Sequence, residues 1–325
     1  MFSNNDYIYN DHTINAWSFF KNVKFKGRGT MLTYLKKANK VLCRLAIQNG
    51  EFDIFHPTYY DPYYVDYKTR KPVVITCYDL IHEKYKQRDL KTLTWKKKSL
   101  SGASKIIAIS NNTKADLMEY YGIPEGRIGV VHLGSSFDGN ENSIESSNRS
   151  VPYFLYVGNR DSYKNFNALA EAITPILNKH KDISLYCAGG LPFSKEELGF
   201  FSKLKISTRL RHFDGSNESL RRLYSGAIAL LYPSLYEGFG IPLLEAMSCN
   251  CPVVCSNVSS LPEVAGDAAI YFDPSNKESM QHSVSLILND DQLRESIITK
   301  GKERLTNFSW ERSAKETYDI YKSIL

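Results

Sequence analysis

No stretch of the 325-residue chain carries an apolar run near the ~20 residues that a bilayer-spanning helix requires. The opening Met1-Phe2-Ser3-Asn4-Asn5-Asp6 lacks a basic segment followed by an apolar stretch, so it does not read as a secretory leader. Six cysteines are too few for a disulfide framework at this length, and a reducing cytoplasm is the expected setting. Their one cluster, Cys249-Asn-Cys251-Pro-Val-Val-Cys255, has no histidine or fourth cysteine nearby. It reads as small buried side chains leading into a strand rather than as a metal site. There is no internal repeat. No recognition helix, zinc spacing or RNP-like aromatic string supports nucleic-acid binding.

What is present is ordinary for a soluble globular protein: 42% hydrophobic and 23% charged residues, over a length that favours two domains. The formal net charge of +6 is uneven. Residues 1–140 carry 21 Lys and Arg against 13 Asp and Glu, whereas the remainder is slightly acidic. A basic first half suits an anionic membrane surface, a phosphorylated substrate or nucleic acid, or it is a solvated face with no partner.

Strand and helix patterns alternate through the chain. Strands are expected at Val73–Cys77, Lys105–Ile109, Gly129–Leu133, Tyr153–Val157, Ile183–Cys187, Ala227–Tyr232 and Pro252–Cys255. Helical patterns lie between them. One runs from Phe166 through Leu169, Ile173, Ile176 and Leu177, with Pro175 expected to kink or end it. Another opens at Ser110-Asn-Asn-Thr113 and stops at Gly122 and Pro124. Residues 136–150 are polar and nearly free of apolar side chains, as an interdomain linker would be. Strands interleaved with helices predict parallel sheets in two α/β domains, with ligand at the carboxyl ends of the strands in the cleft between them.

Chemistry concentrates in Glu237-Gly-Phe-Gly-Ile-Pro-Leu-Leu-Glu245. Gly238 and Gly240 let the backbone approach a ligand and present N–H groups. Pro242 suits a helix start, which would aim the positive helix end at a diphosphate. Glu245 can accept two ribose hydroxyls and Glu237 the hydroxyls of a transferred sugar, each charge-assisted bond contributing about 1.5–3 kcal/mol. A helix cap with a solvent-facing Glu is the plainer alternative. Gly158-Asn-Arg-Asp-Ser-Tyr-Lys-Asn165 also follows a strand and precedes a helix. Arg160 and Lys164 bracket this turn; alone they read as surface cations, but beside the two Glu they can clamp a leaving diphosphate. The loop His56–Tyr67 is rich in tyrosine rings, which serve equally to cover sugar faces or to pack beneath a loop.

These strings, with Leu261-Pro-Glu-Val-Ala-Gly-Asp-Ala-Ala269, Phe213-Asp-Gly-Ser216, Leu220-Arg-Arg-Leu-Tyr-Ser-Gly-Ala227 and Phe308-Ser-Trp310, resemble the retaining GT-B glycosyltransferases of family 4. The match is specific over the second half. It is looser over Asp53-Ile-Phe-His-Pro57, Tyr78-Asp-Leu-Ile-His-Glu83 and Ile109-Ser-Asn-Asn-Thr113. The resemblance implies an α/β GT-B fold of two Rossmann-like domains. Residues 1–140 form the acceptor side, 141–150 the linker and 151–310 the nucleotide-sugar domain, with a last helix at 311–325 returning to the first.

It further implies that Glu237 holds the donor sugar, Glu245 the ribose, and Arg160 and Lys164 the diphosphate, helped by backbone N–H groups of Phe239 and Gly240. The base would lie against Gly189 and Phe213-Asp214. Gly158, Gly238 and Leu244 belong to the same donor subsite. Asp79 would face the acceptor, with Tyr78, His82 and Ser110 near it. The family often places His before this Asp, so any role of that His is not carried to Tyr78. His82 reads otherwise as a surface loop residue. No metal and no cofactor are implied beyond a GDP- or UDP-linked sugar, because protein cations neutralise the diphosphate and a donor phosphate oxygen takes the acceptor proton.

One departure stands out. The family's opening strand, glycine-rich loop and helix have no counterpart before residue 40, and Lys26-Gly-Arg-Gly29 is too polar in context to supply it. The first domain is therefore expected to lack its amino-terminal strand–helix layer. The expected activity is transfer of a hexose, with mannose as the leading candidate, to a saccharide or lipid-linked saccharide in surface polysaccharide assembly. The expected setting is the cytoplasm, with peripheral docking on the inner face of the membrane. The rival is a non-catalytic, truncated protein that binds nucleotide sugar or a partner.

Overall fold

The computed structural model describes residues 28–67, 71–85, 90–135, 137, 151–160 and 162–325. The expected linker at 141–150, and residues 1–27 of the segment that shows no opening strand, lie outside these residues. The described chain divides into two compact units. The first takes residues up to Ile109 with Thr113–Val131 and Lys315–Leu325; the second takes Ser110–Asn112 and His132–Ala314.

In the first unit, β1 (Val74–Cys77), β2 (Lys105–Ala108) and β3 (Ile128–Val130) form a parallel sheet in that order. Alternation along the strands sorts side chains between two faces. Ile75, Cys77, Ile106 and Ala108 join a core with Leu80, Leu100, Leu117 and Ile123. Val74, Ile107 and Val131 face the other way and are covered by Ile320, Tyr321 and Ile324 of the last helical segment. Both faces are thus buried, as a parallel sheet requires. Gly129 lets that segment approach, since a Cβ there would stand 2.6 Å from the Ile320 Cδ1. The expected strand at 129–133 starts one residue earlier and is shorter than its apolar run: β3 spans Ile128–Val130, and Val131 N–H still donates to the Ala108 carbonyl of β2 at 3.0 Å.

His56 fastens the last segment to the sheet. Its Nδ1 lies 2.5 Å from the Tyr321 hydroxyl and its Nε2 2.9 Å from Thr76 Oγ1. Burial pushes the imidazole down from 6.5 to about 4.

The second unit is built on six parallel strands: β4 (Tyr153–Val157), β5 (Ser184–Ala188), β6 (Leu210–Phe213), β7 (Leu230–Tyr232), β8 (Val253–Ser256) and β9 (Ile270–Phe272). Their order is β6-β5-β4-β7-β8-β9. The chain steps outward from β4 to β6, then returns to place β7 on the other side of β4. The order therefore reverses between β4 and β7, and the loops leaving those two strands diverge around a crevice. Phe154, Tyr156, Leu185 and Cys187 pack against Phe166, Leu169, Ile173 and Leu177 of helix Phe166–Lys179, and against Met280, Val284 and Ile287 of helix Lys277–Asn289. Pro175 does not end its helix, which continues to Lys179. Ile176 and Leu177 lie on the buried stripe, and their packing outweighs the lost backbone bond. The six cysteines are free thiols, with Cys251 and Cys255 buried as small core side chains.

The His56 contact has a signed pH consequence. Below about pH 6.5 the unfolded chain takes up a proton that the folded chain refuses until about 4, so stability falls across that window. The loss should reach about 3 kcal/mol at the low end. Urea unfolding of parent and His56→Gln at about pH 7 and about pH 5 should show a steeper decline for the parent. Equal declines would remove His56 as the source.

Candidate functional site

Three loops leave the carboxyl ends of β4, β5 and β6 with bare backbone facing backbone. Gly158 has φ +132°, Gly189 +84° and Gly190 +66°, a region that disfavours any side chain. Gly158 N–H donates to the Ala188 carbonyl at 2.9 Å, and Gly189 N–H to the Phe213 carbonyl at 3.2 Å. A Cβ on Gly215 would stand 3.3 Å from the Gly189 Cα. The His212 Nε2 lies 3.1 Å from the Gly189 carbonyl, and Asp214 accepts from Ser216 Oγ at 3.1 Å. Gly158, Gly189, Phe213 and Asp214 of the sequence reading therefore belong to one surface, and Gly190 and Gly215 join them. Their separate glycines carry no local signal of adjacency, because the parallel sheet supplies it.

Lys164 and Glu237 stand on opposite sides of the strand-order reversal and meet. The Lys164 Nζ donates to the Glu237 Oε1 at 2.6 Å and lies 3.4 Å from the Tyr232 hydroxyl. Leu235 N–H donates to the Tyr163 carbonyl at 2.8 Å, joining the two loops through the backbone. Glu237 is 8% exposed, so a carboxylate is held in a mostly dry setting and needs its ammonium partner. The loop carrying it is stapled from behind. Glu237 N–H donates to Ser259 Oγ at 3.0 Å, and Ser260 Oγ reaches the carbonyls of Glu237 and Phe239 at 2.9 and 2.8 Å. Ser110 Oγ donates to the Gly238 carbonyl at 2.7 Å. Ser110 thus braces the glycine loop.

Gly240 ends that loop at φ +114° and opens helix Ile241–Ser248, with Pro242 in its first turn. A Cβ on Gly240 would stand 2.9 Å from the Leu261 Cδ2, so both conformation and space call for glycine. Leu244 is buried beneath the helix, and Glu245 is half-buried beside it. Burial pushes the Glu245 carboxyl up, opposed by a hydrogen bond of 2.9 Å from the Tyr224 hydroxyl. Phe239 is buried against His132 and Phe308.

Arg160 takes a different partner. Its Nε donates to the Glu197 Oε1 at 2.5 Å, its Nη2 to the Leu191 carbonyl at 2.6 Å, and its guanidinium lies over the Phe193 ring. Its Nη1 is buried with no hydrogen-bond partner among the described residues. Glu197 also completes a capping box with Ser194 at the start of helix Lys195–Lys203. Arg160 therefore joins the Gly158 loop to the Gly189–Ser194 loop.

Glu263 lies in the short helix Leu261–Ala265. Its carboxylate accepts from the N–H groups of Asn111 and Asn112 at 2.8 and 3.2 Å, and pairs with His132 Nε2 at 2.7 Å. Burial pushes its pKa up, but the His132 bond and the two N–H bonds outweigh that and hold it below the usual carboxylate range.

In the first unit, Asp79 follows β1 and accepts from Ile81 N–H at 3.0 Å through Oδ1. Tyr78 is 38% exposed, and its N–H donates to the Tyr60 hydroxyl at 3.0 Å. His82 sits in the short helix Ile81–Lys84, half-buried, and its Nδ1 has no partner among the described residues. The tyrosine-rich loop supplies packing: Tyr60 and Tyr64 are buried in the first core. Among the described residues, no group of three or more His, Cys, Asp or Glu is placed to hold a metal ion, and no helix is long and apolar enough to cross a membrane.

The model of the glycosyl transferases group 1 matches residues 139–304, and that of Glycosyltransferase Family 4 matches residues 13–136. The O-antigen chain mannosyltransferase B of Escherichia coli is 32% identical over 69% of this chain and 62% of its own length. The O-antigen chain mannosyltransferase RfbU of Salmonella typhimurium is 29% identical over 62% of this chain and 55% of its own. The chain thus spans about three fifths of the length of the curated relatives it matches. Among solved structures, a glycosyltransferase from Rickettsia africae superposes with a TM-score of 0.70 at 22% identity, over 93% of this chain and 83% of that one. Anabaena Alr3699/HepE, solved with UDP and glucose, superposes with a TM-score of 0.70 at 16% identity, over 89% and 82%. The parallel-sheet α/β architecture is that of GT-B glycosyltransferases, and the chain belongs to the glycosyl transferases group 1, of the family 4 type.

Proposed function

We propose that the second unit binds a nucleotide-activated hexose at the β4–β7 reversal and that the protein transfers this sugar, with retention, to a saccharide or lipid-linked saccharide in surface polysaccharide assembly. The observation that carries the reading is the Lys164–Glu237 pair at 2.6 Å, set between the Gly158 loop and the amino end of helix Ile241–Ser248. A diphosphate there would meet the Lys164 ammonium and the loop N–H groups, and Glu237 would be released to accept sugar hydroxyls. Glu245, one turn into the helix, would accept ribose hydroxyls, and the bare glycine surface would take the base. With cations and helix end neutralising the leaving group, the step needs no metal, and a phosphate oxygen of the donor takes the acceptor proton.

GDP-mannose is the preferred donor, supported by the O-antigen mannosyltransferase relatives; UDP-hexose is the other candidate. We place Asp79 with Tyr78 and His82 on the acceptor side, because they leave the carboxyl end of β1. The excess of Lys and Arg in residues 1–140 favours a cytoplasmic protein held against anionic lipid, at about 1 kcal/mol per basic residue near the surface.

Calorimetry with GDP-mannose and UDP-glucose, followed by single-turnover transfer to a polyprenol-linked saccharide extract, tests the reading. Binding without product would instead support a non-catalytic binder. Lys164→Ala should lower transfer by ~3 kcal/mol, comparable to removal of one oxyanion donor; unchanged turnover would sink its assignment. Tyr224→Phe removes the bond that opposes the burial shift of Glu245. Its carboxyl should then protonate at higher pH, so as pH is lowered GDP-mannose affinity should begin to weaken at a higher pH than in the parent. Parallel pH profiles would exclude ionised Glu245 from the ribose.

A further inference from the structure

Lys96 is 1% exposed, yet it lies on helix Leu90–Gly102 in the run Lys96-Lys97-Lys98, whose other two members are solvent-exposed. A buried ammonium has three protons to place. The Lys96 Nζ donates to the Asp79 backbone carbonyl at 2.5 Å and to the Glu83 carboxylate at 3.1 Å, and lies 5.2 Å from the centroid of the Tyr60 ring. The Asp79 Oδ1 is 4.0 Å away. Each partner is fixed in turn. The Tyr121 hydroxyl donates to the Glu83 Oε1 at 2.5 Å. Ser99 Oγ, one turn beyond Lys96, donates to the Tyr60 carbonyl at 3.0 Å, and the Tyr60 hydroxyl accepts from Tyr78 N–H at 3.0 Å. The segment 78–83 is therefore gripped from the interior at Tyr78, Asp79 and Glu83.

Packing alone does not call for this arrangement. An apolar side chain of similar volume fills such a site without the desolvation of an ammonium. What a Met at this place cannot do is bind the Asp79 carbonyl and the Glu83 carboxylate at once. We propose that Lys96 is a positioning residue for the transfer reaction: through these two bonds it sets the backbone of Tyr78 and Asp79 at the carboxyl end of β1, and with it the direction in which the Asp79 carboxylate meets the acceptor. This rests on the acceptor-side reading of Asp79 above.

The test uses the full chain with Lys96→Met, the double variant Lys96→Met/Glu83→Gln, and Asp79→Asn. The double variant leaves no uncompensated buried carboxylate, so it separates charge balance from positioning and remains informative if Lys96→Met fails to fold. Hydrogen exchange of the amides of 78–83 is read first. In the double variant, with cooperative unfolding retained, these amides should exchange at least about 10-fold faster, whereas the second unit is unchanged. GDP-mannose affinity should stay within about twofold, and transfer to the polyprenol-linked extract should fall about 10- to 100-fold in kcat/KM. Unaltered exchange at 78–83, or transfer restored to within about threefold of the parent, would overturn the proposal, because Lys96 would then only neutralise Glu83. Asp79→Asn distinguishes the two failures. If it transfers at the parental rate, the reading of Asp79 fails and the role of Lys96 falls with it. If it is inactive while the double variant is normal, only the role of Lys96 falls. A parent that binds GDP-mannose without transfer overturns both.

Discussion

The contact between Lys164 and Glu237 exists because a strand order reverses. Residues 73 positions apart meet at 2.6 Å only because β4 and β7 are neighbours whose chains leave in opposite directions. Around that pair, the neighbouring features read as support. Ser259, Ser260 and Ser110 secure the loop, Gly240 permits the turn, and Tyr163 joins the two sides through its carbonyl. A carboxylate buried to this degree is tolerated because its counter-charge is fixed by the same topology. In the proposed reaction a diphosphate would give that counter-charge a second anion to satisfy, which would couple donor entry to the orientation of Glu237.

The chain's legibility follows the range of the interactions concerned. Buried parallel strands announce themselves as short apolar runs, and glycine beside a helix start announces a turn. Four of the six strands of the second unit, β4, β5, β7 and β8, and the Glu237–Glu245 loop could be read from local pattern for that reason, whereas the short edge strands β6 and β9 were not expected. The partner of Arg160 could not, since Glu197 lies 37 positions on and its own local signal was that of an ordinary helix start. Lys96 was hidden more thoroughly, inside a run of three lysines that reads as a solvated face. Burial of one of three identical neighbours depends on the helix phase against Tyr60 and Glu83, which sequence alone does not give. Of the two outcomes expected at Pro175, a kink or an end, the end is excluded: the helix runs on to Lys179 as Ile176 and Leu177 pack into the core.

The two units also differ in how charge is managed. In the second, Lys164 and Glu237 are shielded yet lie in loops beyond strand ends, where the proposed donor would compete for them. In the first, Lys96, Glu83 and Tyr121 are consumed by one another and leave nothing to offer a ligand directly. Their effect is confined to the backbone they hold. Charges that bind and charges that brace can thus be told apart by whether their bonds end on an exchangeable partner or on main chain.

The glycine surface formed by Gly158, Gly189 and Gly215 has a methodological consequence. Alanine scanning reports a contact by deleting the side chain that makes it. In the proposed base subsite the contact surface is main chain, so truncating nearby side chains would leave it intact, and only enlargement at the glycines themselves would register. A map of sensitive positions drawn by truncation would therefore show a blank at these glycines, of which Gly158 and Gly189 hold positive φ and Gly215 lies close to the Gly189 backbone. Substitutions that add a methyl group are the ones that would outline it.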